Sequence, residues 1–251
     1  MSQKIVVRGF GLIIIGSEIL DGRVQDSHFA NTTKLLAERN HPLVYMMILV
    51  DEPLLITDKL KWAMSRPEHL FCCGGIGATP DDYTRQCAAD AACVPLAYHE
   101  EGVKILERRF GKKSTPARLK LVEFPEKARL IPNPVNQVPG FSINNAHFLP
   151  GFPSMAEPMM AWVLDAYYEK GETTVTRTLI LAGARESEVV PLMNSFIPQY
   201  PTISLSSLPK FVEHGTEVHL GLTGNPSDVE QGIADLIKAV EKKGMIWKEK
   251  K

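Results

Sequence analysis

A glycine-rich turn between two predicted elements constrains the fold of this chain more than any other feature. Its three glycines stand between a run of apolar residues, typical of a buried strand, and a run with helical periodicity. In an α/β sheet such strand-to-helix turns face the ligand crevice, and glycine amides can approach a phosphate closely. The glycines are Gly74, Gly75 and Gly77, and the flanking runs are residues 69–73 and 84–92.

Polar side chains within this turn admit two interpretations. Thr79 adds a hydroxyl, and the adjacent carboxylates of Asp81 and Asp82 could hold a divalent cation or orient a water molecule. Alternatively, the glycines form only a tight connection and the aspartates cap the following helix. The turn lacks the GK[ST] ending of a Walker A loop and the spacing of a GxGxxG fingerprint, so the stretch alone leaves both interpretations open.

Two more acidic residues follow predicted strands upstream of the turn. Residues 10–15 predict a buried first strand with Glu18 just past its end, and residues 43–50 predict a second strand that ends at Asp51. Because βαβ crossovers place successive strand ends at the same edge of a parallel sheet, we expect these carboxylates beside the glycine turn. Backbone donors and metal-held charge neutralisation together suit a phosphate-bearing substrate.

A second turn of the same kind follows later in the chain. Residues 146–149 predict a short strand, and the rigid loop 150–154 leads into a helix predicted over residues 155–168. This loop delivers glycine, proline and serine to the start of a helix, an arrangement that suits an anion or a ribose. Residues 118–124 predict a helical piece, and the proline-rich residues 125–141 predict irregular structure.

The composition changes near Gly171, which predicts a domain boundary. We expect an α/β domain over residues 1–170 and a small α+β domain over residues 171–251, with its elements in the order βαββα and an open mixed sheet. The lysine-rich residues at the end of the chain are expected to fray.

Composition argues against several classes of function. The net charge of -1, with no basic cluster interleaved with aromatic residues, argues against nucleic acid as a partner. Every apolar run is too short to span a bilayer, so we expect no membrane partner and no signal peptide. The four cysteines form no metal-ligand spacing, which favours a reducing compartment and a cytoplasmic location. The neighbours Cys72 and Cys73 are expected to fill the core from opposite faces of a strand.

Six ordered segments of the sequence carry a family resemblance: residues 16–20, 50–51, 74–82, Asn133 with 139–141, 149–154, and Gly183 with 186–187. In these segments the chain resembles the molybdopterin-binding domain family. Within that family, it most resembles the amino-terminal domains of competence/damage-inducible A (CinA-like) proteins. The resemblance covers nearly the whole chain. It implies a three-layer α/β/α domain with a mostly parallel sheet, followed by a smaller KH-like α+β domain.

The same resemblance implies a site for a pterin or a nucleotide. For the competence-protein branch it implies a divalent-metal-dependent pyrophosphatase acting on ADP-ribose, and for the related domain of eukaryotic FAD synthase a cleavage of FAD. The molybdenum-cofactor branch instead binds molybdopterin and adenylylates it, with aspartates that match Asp51 and Asp82. Relatives form dimers or trimers, so a homo-oligomer is expected, with a dimer favoured. The nicotinamide-nucleotide deamidase domain that follows in longer relatives is not expected here.

Our primary hypothesis is a metal-dependent hydrolase of a nucleotide diphosphate. Asp51 and Asp82 are expected to be catalytic, and Asp81 with Asp82 to hold Mg2+ or Co2+, which neutralises the diphosphate and activates a water. The residues expected to bind substrate are Glu18, Gly74, Gly75, Gly77, Thr79, Pro150, Gly151, Pro153 and Ser154.

Four positions depart from the family pattern. Ala78 stands in place of a proline, His28 in place of an asparagine, Asn136 in place of a glycine and Met155 in place of a glutamate. If these changes disable the site, the alternative is a non-catalytic protein that binds molybdopterin or a nucleotide and is linked to molybdenum cofactor biosynthesis.

Overall fold

The computed structural model describes residues 4–111, 115–213 and 215–250. The chain divides into two compact units, of which the first ends at Gly171 and the second begins at Glu172. The sequence places this boundary one residue earlier, after residue 170. Within the described ranges, no helix combines the length and the apolar character needed to cross a membrane.

Parallel strands form the centre of the first unit. Its strands are β1 (Phe10–Ile15), β2 (Leu43–Leu49), β3 (His69–Cys73), β4 (Leu96–Tyr98), β5 (Glu123–Pro125), β6 (Arg129–Ile131), β7 (Gly140–Ile143) and β8 (Ala146–Leu149). The main sheet has the order β2-β1-β3-β8-β7-β6, in which the first four strands are parallel and β7 is antiparallel to both neighbours. β4 and β5 pair in a separate small sheet.

Helices cover both faces of this sheet. They are α1 (Ser17–Leu20), α2 (His28–Ala37), α3 (Pro53–Met64), α4 (Thr84–Ala92), α5 (Glu100–Phe110), α6 (Pro116–Leu119) and α7 (Pro153–Tyr167). Buried side chains of α2 and α7 join one hydrophobic cluster, and those of α3, α4 and α5 join a second one. The predicted three-layer α/β/α arrangement is confirmed.

The central strand β1 explains why both faces need helices. Ile14 packs into the cluster that includes α2 and α7, whereas Ile13 and Ile15 pack into the other cluster. Alternate residues of a strand point to opposite faces, so a continuous apolar run must be covered on both sides. Cys72 and Cys73 of β3 divide between the same two clusters. Their predicted role as core residues is therefore confirmed.

The second unit is a four-stranded sheet with two helices. Its elements are β9 (Val175–Ala182), α8 (Glu186–Phe196), β10 (Ser204–Val212), β11 (Gly215–Gly224), α9 (Pro226–Lys242) and β12 (Ile246–Glu249). The strand order is β10-β11-β9-β12, and the strands, α8 and α9 share one hydrophobic cluster. This is the smaller α+β unit that the sequence predicts.

Two expectations for this unit are wrong. The sheet is antiparallel throughout its described strands instead of mixed. The lysine-rich end does not fray up to residue 250, because β12 pairs with β9 and places Trp247 opposite Leu181. The Arg177 guanidinium also forms an ion pair with Glu249, which ties the last strand to the sheet.

The connection before β7 is more regular than the sequence suggests. Residues expected to form one helical piece instead form the end of α6, a short 3-10 helix (Lys120–Val122) and β5. The following proline-rich stretch contains β6 and the first residues of β7. Strand pairing with β8 and β7 supplies these backbones with hydrogen bonds that local sequence patterns do not reveal.

Candidate functional site

A cleft of about 550 Å³ opens at the carboxyl edge of the main sheet. The register brings the ends of four parallel strands together, since Ile15 pairs with Leu49, Ile14 with Cys73, and Cys73 with Leu149. The loops after β1, β2, β3 and β8 therefore meet. Ten predicted site residues line the cleft: Glu18, Asp51, Gly74, Gly75, Gly77, Thr79, Asp81, Asp82, Pro150 and Gly151.

The first two glycines of the turn after β3 are packed too tightly to carry a side chain. Gly74 has φ of +104°, and a Cβ built there would lie 2.1 Å from the carbonyl oxygen of Ile15. Gly75 has φ of +65°, and its Cβ would lie 2.2 Å from the Oγ1 of Thr84. Both positions thus require glycine for backbone conformation and for space. The turn is held between the end of β1 and the start of α4.

Asp82 closes the turn upon itself. Its Oδ1 accepts a hydrogen bond from the Gly77 amide at 3.0 Å, and its Oδ2 accepts one from the Thr79 amide at 2.8 Å. The Thr79 hydroxyl lies 2.5 Å from the same Oδ2 and equally close to Oδ1 of Asp81. A hydroxyl has one proton, so it donates to only one of these carboxylates at a time.

These bonds change which amides can meet a ligand. The amides of Gly77 and Thr79 are engaged by Asp82, and the Gly74 amide donates to the carbonyl oxygen of Leu149. The amides of Gly74 and Gly77 thus already have acceptors within the protein, and the expectation that they bind a phosphate stays a prediction. Within residues 74–79 of the turn, the amides of Gly75, Ile76 and Ala78 have no acceptor among the described residues.

Asp51 is anchored by Ser17, a residue that the sequence did not single out as functional. One oxygen of Asp51 accepts hydrogen bonds from the Ser17 amide at 2.9 Å and the Ser17 hydroxyl at 2.8 Å. The Asp51 amide donates back to that hydroxyl at 3.1 Å. This reciprocal pair fixes the end of β2 against the start of α1 and leaves the second oxygen of Asp51 available. Ser17 stands directly before Glu18 in the segment 16–20 that carries the family resemblance, and this position is the signal that could have identified it.

The cleft is acidic. Glu18, Asp51, Asp81 and Asp82 line it, and no lysine, arginine or histidine of the described ranges does so. A hydrogen bond from the Thr79 hydroxyl lowers the pKa of Asp81, and a smaller contribution comes from the backbone amide of Asp81 itself. Asp81 is therefore an anion at neutral pH. The negative charge of such a cleft repels an anionic ligand, and a cation bound with the ligand would offset that repulsion.

The loop after β8 forms the opposite wall. A Cβ built on Gly151 would lie 3.3 Å from the Cα of Gly74, so the two loops touch through glycine backbones. Phe152 lines the cleft although it is largely exposed. Pro153 and Ser154, the first two residues of α7, do not line it, whereas Met155 in the same turn does.

Asn133 is a cleft residue that the sequence placed in a motif without assigning it a role. Its Oδ1 accepts hydrogen bonds from the amides of Val135 at 3.0 Å and Asn136 at 3.3 Å. Its Nδ2 is buried without a partner among the described residues. Such a donor costs about 1–3 kcal/mol when it stays unpaired, which is the kind of cost that binding sites carry.

Three of the four departures from the family pattern lie in this cleft. Ala78 lines it within the glycine turn, and Asn136 donates from Nδ2 to the Sδ of Met155 at 3.3 Å across it. The loop that carries Asn136 is thus in contact with the first turn of α7. His28 does not line the cleft, because its ring is buried at the start of α2 with Nδ1 2.9 Å from Asp26.

Comparison with known proteins gives a consistent result. Residues 11–170 match the family described as "Probable molybdopterin binding domain". A protein of Pyrobaculum arsenaticum is 25% identical over 242 residues, which cover 91% of each chain. A CinA-like protein of Citrifermentans bemidjiense is 30% identical over 229 residues, which cover 86% of this chain and 54% of that protein. The chain thus spans about half the length of this CinA-like relative.

One solved structure shares both fold and sequence with the chain. The crystal structure of the protein CinA, of unknown function, from Thermoplasma acidophilum has a TM-score of 0.58 and 25% identity to this chain. The match covers 62% of this chain and 97% of that one. The strand-edge loops, their ordered motifs and these matches agree. The chain therefore belongs to the family of probable molybdopterin binding domains.

Proposed function

We propose that the first unit is a divalent-metal-dependent pyrophosphatase that cleaves the diphosphate of a nucleotide such as ADP-ribose or FAD. One observation carries the proposal. Carboxylates from three different strand ends share a cleft with unpaired backbone amides, and no basic side chain of the described residues lines that cleft. A diphosphate would find amide donors there, but its charge would need a metal ion as a partner.

The donor set suits a hard cation that takes part of its coordination from the substrate. In the described ranges, no three acidic, histidine or cysteine side chains come close enough to form a complete metal cage. Mg2+ is usually held by one or two carboxylates, water and substrate phosphates, so a partial set of protein oxygens fits it. Co2+ accepts similar oxygen ligands, but the proposal does not depend on which of the two ions is used.

The roles of the carboxylates follow from their free oxygens. Asp51 and Asp81 each keep an oxygen without a hydrogen-bond donor among the described residues, and we assign them to the metal. Asp82 already accepts at both oxygens, so its main role is to hold the turn. A bound metal would neutralise the diphosphate and lower the pKa of an attacking water. Glu18 would orient that water or the ribose.

Substitution of the two proposed metal ligands tests this assignment. Asp51→Asn and Asp81→Asn should each lower kcat/KM for ADP-ribose by about a hundredfold, equivalent to about 2.7 kcal/mol, and raise the Mg2+ concentration needed for activity. The measurement is AMP formation followed by chromatography at several metal concentrations. Asp58→Asn, on the exposed face of α3, is the matched control and should change neither quantity. Full activity in both cleft variants would contradict the assignment.

A second candidate function is a binding module that holds molybdopterin or a nucleotide without turnover. Both oxygens of Asp82, which the sequence identifies as catalytic, already accept hydrogen bonds within the turn, and this favours the binding module. Incubation with ADP-ribose or FAD and Mg2+ or Co2+ separates the candidates. No AMP, together with a ligand-induced rise in melting temperature, would support the binder. The expected homodimer and cytoplasmic location stay predictions, and the subunit count can be measured by light scattering.

A further inference from the structure

Asn133 presents a fixed and unpaired hydrogen-bond donor. The side chain is only 5% exposed. Its Oδ1 accepts from the two backbone amides of Val135 and Asn136, so rotating the carboxamide by 180° would leave those amides facing an NH2 group. The orientation is therefore set, and Nδ2 is the end without an acceptor among the described residues.

The same residue lies between two cavities of different character. One is the acidic cleft. The other is a hollow of about 460 Å³ with mostly apolar walls, which Asn133 and Pro139 share with the cleft. The remaining walls of the hollow come from Glu101, Ile105, Leu130, Pro132, Gln137 and Trp162.

We propose that this hollow binds the flat heteroaromatic ring of the nucleotide, and that Asn133 Nδ2 donates to an acceptor atom of that ring. The inference rests on the proposed function, in which the ligand carries both a ring and a diphosphate. The diphosphate needs the amides and a cation, which the acidic cleft accommodates, whereas a ring gains from apolar and aromatic contacts. Trp162 is 38% exposed and offers such a surface.

The hydrogen bond from Asn133 gives this hollow specificity beyond apolar contact. Its Nδ2 suits an unprotonated ring nitrogen or a ring carbonyl oxygen, both of which are acceptors. A ligand that lacks this acceptor would leave the donor unpaired, which discriminates more strongly than a missing apolar group. A ribose phosphate without a base should therefore bind weakly compared with the complete nucleotide.

Calorimetry with two probes in the presence of Mg2+ tests the ring site. The wild-type protein should bind AMP at least about tenfold more tightly than ribose 5-phosphate, which has the same ribose and single phosphate but no base. Asn133→Asp keeps the oxygen that accepts from the backbone but removes the donor, and Trp162→Ala removes the ring surface. Each should bring the ratio of the two affinities close to one. The carboxylate that Asn133→Asp introduces should weaken the binding of both phosphate-bearing probes. The ratio of their affinities therefore reports on the contacts with the ring alone.

A matched control is available in the same unit. Trp62 is also 38% exposed but lines neither cavity, so Trp62→Ala should leave the ratio unchanged. Tryptophan fluorescence gives a second readout that a merely structural role would not produce. ADP should quench the emission of wild-type protein and of Trp62→Phe, but not that of Trp162→Phe.

The outcomes separate this inference from the proposed function. A ratio that stays high in both Asn133→Asp and Trp162→Ala would overturn the ring site. If Asn133→Asp weakens the binding of both probes equally and Trp162→Ala has no effect, Asn133 only stabilises its own loop. This outcome would also overturn the ring site. Loss of the ratio in a protein that forms no AMP from ADP-ribose would support the ring site and overturn the pyrophosphatase. No ADP binding by the wild type would overturn both.

Discussion

At the scale of single residues, the glycine turn shows how one sequence pattern serves two needs. Gly74 and Gly75 are required because side chains there would collide with β1 and α4, in backbone conformations that L-residues rarely adopt. At Gly77, a Cβ would lie 2.4 Å from Oδ2 of Asp82, the carboxylate that closes the turn. The interpretation of the turn as a tight connection is therefore confirmed, and its role in ligand binding stays a prediction. The packed turn keeps the amides of Gly75, Ile76 and Ala78 in the cleft.

Substitution of Gly74 measures this requirement. Gly74→Ala should lower the free energy of unfolding by about 2–4 kcal/mol, because the strained φ adds to a collision with the backbone of Ile15. Gly22→Ala is the control, since Gly22 has φ of +78° but nothing within 4 Å of a built Cβ. Its cost should be only about 1 kcal/mol. Urea denaturation gives both values, and equal costs would show that close packing of the turn is unimportant.

At the scale of elements, a buried polar chain links three strands to the end of α7. The Ser142 hydroxyl of β7 lies 2.7 Å from Nδ1 of His147 in β8, and Nε2 of His147 lies 2.5 Å from the Tyr168 hydroxyl. That hydroxyl lies 2.6 Å from Nδ1 of His69 in β3. Burial, with smaller contributions from His69 and Arg129, lowers the pKa of His147 to about 3. The imidazole of His147 in this row of hydrogen bonds is therefore neutral.

This neutral histidine predicts a loss of stability in acid. The unfolded chain binds a proton at His147 near pH 6.5, whereas the folded chain does so only near pH 3. Lowering the pH between these values favours the unfolded state, by about 1.4 kcal/mol per pH unit from this residue. His147→Gln should be less stable at pH 7 but should show a shallower decline between pH 6 and pH 4. Urea midpoints at several pH values test this, and an equally steep decline would contradict it.

At the scale of the whole molecule, the cleft and the adjacent hollow are built from one unit. Every described residue that lines them comes from the unit that ends at Gly171. Gly171 itself belongs to that unit. Its amide donates a hydrogen bond to the carbonyl oxygen of Arg39, and its carbonyl oxygen accepts one from Nδ2 of Asn40. Ligand recognition should therefore not require the second unit.

A fragment of residues 1–171 provides the test. It should fold with a cooperative transition and bind ADP in the presence of Mg2+ within about threefold of the full chain, because the residues that form the site are all present. A fragment of residues 172–251 is the control and should not bind ADP. A folded first fragment without affinity for ADP would show that the second unit contributes to the site.

Sequence reasoning recovered most of the fold, and its errors have a common cause. The continuous apolar run of β1 and the helical period of α4 are local signals, and both elements were predicted with the correct bounds. The edge strands β6 and β12 are short and gain their hydrogen bonds from distant partners, so their own residues carry little signal. For this reason the expected frayed end is wrong, and the expected irregular segment, most of which is irregular in the structure, is wrong only where it contains strand residues such as those of β6.

For the candidate site, the sequence by itself determined which loops meet, because parallel strands joined by helices must bring their carboxyl ends to one edge. It thereby placed Glu18, Asp51 and the glycine turn together. Only the tertiary structure decided which atoms remain available for a ligand. Both oxygens of Asp82 accept hydrogen bonds from the turn that they close, whereas Nδ2 of Asn133 has no acceptor among the described residues. Hydrogen bonds between loops are set by three-dimensional packing, and no spacing in the sequence encodes them.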